Sequence, residues 1–249
     1  MLVLKLSLVP GFLLLISLAS KRWGPGVAGW LSSLPVIAGP VVFFLTLTHG
    51  VAFGTAAANG SMAAVFASVS FGAVYVFIAR RRAWPLALAG GLLAWTLAAA
   101  ISATLFTSAS GSLLIALLTL LIAPRVFPAK GEKPGASVIS MPDMAVRMLA
   151  GFLLVLCVTS AADLVGPRWS GLLAVFPVLA SVLAVFSHRH QGYAFCAALL
   201  RGLATGLYAF VAFFLVLSAG LARLGVAMAF GLAVLTALVV HAAGRRHLL

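Results

Sequence analysis

The sequence predicts an all-α polytopic membrane protein with about nine transmembrane helices, in which two four-helix units form an inverted-topology repeat around a linker helix. Three observations predict it. Of 249 residues, 64% are hydrophobic and only 8% charged, and mean hydropathy is +1.23. A water-soluble domain carries roughly 25% charged residues, so most of this surface faces lipid. Apolar runs approaching the ~20 residues that cross a bilayer recur from end to end, without the alternation of a membrane β-barrel strand. Finally, a set of glycines and prolines returns at a fixed spacing.

Apolar runs between polar punctuation give nine segments, near 3–20, 26–47, 51–79, 84–106, 110–124, 145–163, 168–187, 193–219 and 222–242. The first resembles a secretory signal, with Lys5 ahead of an apolar stretch and small residues near Ala19. Lys21 and Arg22 place the stronger charge after the run, which favours a retained anchor with its N-terminus outside. Connections after segments 1, 3, 5, 7 and 9 hold twelve of the sixteen basic residues, including Arg80, Arg81, Arg82, Arg147 and Arg189. The opposite side holds Lys5, Arg168 and Arg223, and only Arg201 falls within a span. The positive-inside rule then puts the C-terminus in the cytoplasm. The formal charge of +13 is scattered between spans, which argues against nucleic acid as a partner.

The repeat is read from residues that apolar helices do not share by chance. Gly11-Phe12-Leu13-Leu14 returns as Gly151-Phe152-Leu153-Leu154, and Gly24-Pro25, Gly29, Leu31 and Pro35-Val36-Ile37-Ala38 return as Gly166-Pro167, Gly171, Leu173 and Pro177-Val178-Leu179-Ala180. Gly50, Phe53, Gly60 and Phe71 continue the match as Gly192, Phe195, Gly202 and Phe213. The chain divides into a first unit over 1–106, a linker helix and loop over 107–143, and a second unit over 144–249. One extra span between two four-helix units inverts the second unit relative to the first.

Gly166-Pro167, Ser170-Gly171-Leu172, Phe176-Pro177, Gly192, Leu200-Arg201 and Tyr208 of the second unit resemble the GlpM-type bacterial inner-membrane proteins, small four-helix chains of about one unit length. The first unit is similar, with Asn59 where the arginine would stand. The resemblance implies an inner-membrane location and an involvement with exported polysaccharide. It brings no catalytic residue with it.

Candidate binding residues follow from charge and broken helices. Pro35 and Pro177 fall inside segments 2 and 7, and a proline there removes the hydrogen bond to the carbonyl four residues back, on Leu31 and Leu173. Two such carbonyls line a cavity on one reading; on the other these are tolerated kinks whose freed groups neighbouring helices satisfy. Arg201 lies eight residues beyond Tyr193, roughly 12 Å into its helix, where a charge costs at least about 2.5 kcal/mol unless compensated. The spans offer no Glu, and their one Asp, Asp163, sits at the far end of segment 6. An anionic ligand at Arg201 is one expectation, with Asn59 as a neutral partner from the other unit; snorkelling to the interface is the other. His49 and His190 are candidate proton-coupling residues or solvated turn residues.

Several function classes are excluded by what is missing. No membrane-embedded carboxylate is placed to exchange protons for cationic drugs. No zinc-protease helix, nucleophile elbow, phosphate-binding loop or cofactor motif occurs, so neither an enzyme nor a cofactor is expected. Cys157 and Cys196 lie within spans and form no metal motif. The expected function is a transporter or lipid flippase for an anionic or neutral small molecule or lipid-linked substrate. The alternative is a non-catalytic accessory subunit of an envelope polysaccharide or lipid machinery. Expected partners are membrane lipids, the substrate, and a second copy or an envelope-biosynthesis complex.

Overall fold

The computed structural model describes residues 2–106, 108–127, 141–164 and 176–244, with side chains over 7–106, 108–127, 142–157 and 176–244. All regular structure among them is helical: α1 Leu2–Trp23, α2 Pro25–Ser32, α3 Ala38–His49, α4 Val51–Ala79, α5 Trp84–Leu105, α6 Ala109–Val126, α7 Met141–Leu164, α8 Val178–Leu224 and α9 Val226–Gly244. Five of them, α4, α5, α6, α8 and α9, are long and apolar enough to cross a membrane. The chain is therefore an all-α protein of multi-pass membrane character.

Local chemistry sets the helix ends. Pro25 opens α2 at a position where its missing N–H costs nothing. Ser108 caps α6, its hydroxyl accepting from the Gly111 N–H at 3.1 Å. Inside the apolar helices, hydroxyls turn back on carbonyls one turn earlier: Thr46 to Val42, Ser61 to Ala57, Thr119 to Ile115 and Thr205 to Arg201. That satisfies each donor without water, as a lipid environment requires.

The expected kink in segment 2 is a complete break. Ser32 and Ser33 donate their hydroxyls to the carbonyls of Gly29 and Trp30, each at 2.6 Å, and the helix ends there. Residues 33–37 are non-helical, and Val36 N–H closes a three-residue turn onto Leu34 across Pro35. The Leu31 carbonyl is not freed, since it accepts the Leu34 N–H at 3.3 Å. Pro177 makes the same kind of turn, with φ −79° and ψ 58°, and Val178 N–H donates to Phe176. These angles are those of an inverse γ-turn. In both places the proline carbonyl then accepts an N–H four residues on, Gly39 or Ser181, at 2.8 Å.

A second pair of equivalent positions also shares its backbone. Gly50 separates α3 from α4 at φ 88°, ψ 171°, and Gly192 bends α8 at φ 83°, ψ 179°. Side chains essentially never occupy that region, so glycine is required at both. The bend divides α8 into arms over 178–191 and 193–224.

Helices α4 and α8 form the centre. Helix α4 packs on α5, α6 and α8, α8 on α2 and α9, and α1 on α7. Phe71, Tyr75, Leu199, Leu200, Leu203 and Leu207 fill one end of this contact. Met62, Phe213, Phe214, Leu217 and Ala233 fill the other. Large apolar side chains such as Leu118 and Leu121 on α6, and Leu235 and Val239 on α9, point away from the protein. Surfaces of this kind are at home in acyl chains.

Candidate functional site

Helix α2 crosses α8 so closely that the contact runs backbone to backbone. A Cβ on Gly29 would overlap the Leu199 carbonyl, and one on Gly202 would overlap the Gly26 carbonyl. One turn further, Gly206 faces Ser33 and the Trp30 carbonyl. Gly202 and Gly206 thus form a small-xxx-small face, the device by which helices approach closely in lipid. The crossing holds the 33–37 break against the middle of α8. Arg201, next to Gly202 on α8, is half-buried, with its own carbonyl accepting from Thr205 at 3.0 Å.

The structure does not bring Asn59 to Arg201. Asn59 Oδ1 accepts the Ser218 hydroxyl at 2.6 Å, and Ser218 lies seventeen residues along α8 from Arg201, roughly 25 Å at 1.5 Å per residue. Pro35 is near the crossing, and Pro177 caps α8 at its other end. Leu173 lies outside the described residues, as do the side chains of Asp163 and Arg168. His49 is exposed at the α3–α4 turn, its Nδ1 2.7 Å from the Thr48 hydroxyl and its ring stacked on Phe53.

His190 belongs to a charged cluster that the sequence reading missed. Arg147, counted there as a solvated loop charge, is 1% exposed and among the largest fully buried side chains. The correction has a simple cause: segment 6 starts near 145, which left Arg147 at its edge and counted with the connection, whereas α7 begins at Met141 and sets Arg147 nearly two turns inside. Its Nε donates to Asp143 Oδ2 at 3.1 Å, and Nη2 lies 2.9 Å from the same oxygen. Nη2 is out of line for a hydrogen bond and has no other acceptor among the described residues. The guanidinium stands 5.4 Å from the Phe186 ring centre, and Phe186 stacks on His190. His190 Nε2 lies 3.5 Å from Asp143 Oδ1, with the His190 side chain 41% exposed. One carboxylate thus bridges a buried guanidinium and an accessible imidazole, and ties the start of α7 to the 178–191 arm of α8 beside the Gly192 bend.

Two further polar contacts were not foreseen. Tyr75, fully buried on α4, places its hydroxyl 3.5 Å from His188 Nδ1. His241 on α9 stacks on Trp30 at 3.6 Å between centroids, with both ring nitrogens buried and without a hydrogen-bond partner among the described residues. The signal for His241 was present, because segment 9 ran to 242 and so enclosed it; for Arg147 the i, i+4 spacing from Asp143 was the available clue. Among the described residues no group of three or more His, Cys, Asp or Glu could hold a metal ion. Compared with known proteins, the chain matches no family model, no curated protein and no solved structure.

Proposed function

We propose that the chain is a membrane transporter or lipid flippase for an anionic or neutral substrate, built as two inverted four-helix units with α6 as the inverting span. The observation that carries this reading is the backbone break over 33–37, whose first residue, Ser33, packs against Gly206 of α8. Non-helical backbone at membrane depth is tolerated where it is enclosed by protein or lines a cavity, and secondary transporters place their sites at such interruptions. The matched turns at Pro35 and Pro177, and the matched bends at Gly50 and Gly192, support duplication. Under inversion, equivalent residues lie at mirrored depths. Asn59 and Arg201 would then occupy opposite halves of the bilayer, in keeping with the Ser218 partner of Asn59. Arg201, adjoining the Gly202 contact with α2, remains the residue proposed to meet an anionic group, and His190 the one proposed to exchange protons. Two fused GlpM-type units, which the short motifs of the two halves resemble, would have this arrangement.

The packed apolar contact of α4 with α8, filled by Phe71, Leu199, Leu200 and Phe214, favours a second reading as a non-catalytic accessory subunit. The two are separated by reconstituting the purified protein into liposomes carrying fluorescent anionic and zwitterionic lipids. A flippase exposes inner-leaflet probe to an external quencher, and Arg201→Ala slows that exposure for the anionic probe. Exposure no faster than in protein-free liposomes removes the flippase reading, and equal rates for wild type and Arg201→Ala remove the Arg201 assignment.

A further inference from the structure

The α4–α5 turn carries Arg80, Arg81 and Arg82, all exposed, around a shallow concavity of about 300 Å³ whose remaining lining is Phe77 and Ile78. The turn fixes this fan of cations. The backbone N–H groups of Arg81 and Arg82 both donate to the Ile78 carbonyl, at 3.1 and 3.0 Å. The Ile78 side chain seats against Gly90 of α5, where a Cβ would overlap it. Phe77 is left 74% exposed on the last turn of the spanning helix, and Leu86, in the first turn of α5, is exposed as well. Among the described residues no carboxylate pairs with any of the three arginines.

Orientation in the membrane accounts for three positive charges here but not for a formed concavity with an apolar floor. We propose that this turn is a binding site for the phosphate of an anionic glycerophospholipid, held by the three guanidinium groups while an acyl chain lies along Phe77 and Leu86. Guanidinium grips phosphate through paired N–H donors, which an ammonium cannot reproduce. Each basic residue near an anionic surface contributes about 1 kcal/mol, so neutralising three weakens binding by roughly 100-fold. The site is independent of any transport role.

The test uses the purified full chain in mixed micelles of phosphatidylglycerol or phosphatidylcholine, with inorganic phosphate as a third arm, reading thermal unfolding. Phosphatidylglycerol raises the unfolding temperature, whereas phosphatidylcholine and inorganic phosphate do not. The variant R80Q/R81Q/R82Q loses most of that rise. R80K/R81K/R82K, which keeps the charge that sets topology, retains less than half of it and decides the matter if the glutamine variant fails to fold. A full rise in the lysine variant, or in a folded glutamine variant, overturns the proposal. An equal rise with inorganic phosphate also overturns it, because the ligand is then a free anion and not a lipid.

Discussion

Replacing Asp143 by Asn tests whether the buried cluster holds α7 in place. At 2.9 Å from Arg147 Nη2, the carboxylate contributes a Coulomb attraction of about 6 kcal/mol at an effective dielectric of 20. Much of this offsets the cost of removing both charges from water. Breaking such a pair from one side leaves a guanidinium with 1% exposure uncompensated, which costs about 3–5 kcal/mol. For a chain of this size each kcal/mol shifts the midpoint by roughly 2–4 °C, so Asp143→Asn unfolds roughly 6–20 °C lower. The double variant Asp143→Leu/Arg147→Met removes both charges and keeps the volume, and it recovers most of that loss. The assay is thermal unfolding in detergent, followed by near-ultraviolet circular dichroism. If Asp143→Asn melts within 2 °C of wild type, or the double variant melts below it, the pair does not carry the stability assigned to it.

Other outcomes follow from the same packing. Gly202→Ala drives a methyl into the Gly26 carbonyl and costs about 1–3 kcal/mol or more, whereas Gly60→Ala, at an open helical position, stabilises by about 0.5–1 kcal/mol; chemical unfolding in bicelles checks both. Gly192→Ala forces a side chain to φ 83° and costs about 1–3 kcal/mol, seen as a lower midpoint in the same assay. Ser218→Ala removes the hydroxyl that Asn59 accepts and costs about 0.6 kcal/mol, up to ~1.7. A double-mutant cycle with Asn59→Leu should return that coupling, and additive losses would show that the two do not interact.

How far the sequence could be read depended on what each residue was asked to report. Segments 51–79, 84–106 and 110–124 match Val51–Ala79, Trp84–Leu105 and Ala109–Val126 closely, because glycines, arginines and a serine cap bracket long apolar runs. The break in segment 2 was harder. Proline signalled it, but the hydroxyls of Ser32 and Ser33 ended the helix sooner, and the Leu31 carbonyl found the Leu34 N–H. Charge counting mistook Arg147 for loop because a charge near a run's edge reads as solvated until its i, i+4 partner is noticed. Pairing Asn59 with Arg201 assumed that equivalent positions meet. Asn59 instead accepts from Ser218, seventeen residues along α8 from Arg201, because packing of α4 on α8 and not sequence equivalence sets which residues meet.

Inversion of the second unit is the central claim, and side-specific labelling of single cysteines tests it most directly. In a background with Cys157 and Cys196 replaced by Ser, one cysteine is placed at His49 and another at Arg189, beside the equivalent bends at Gly50 and Gly192. Inversion puts these bends on opposite faces of the membrane. A membrane-impermeant maleimide on intact spheroplasts should label the cysteine at 49, and should reach the one at 189 only after permeabilisation. Labelling of both from the same side would make the units parallel and contradict the account.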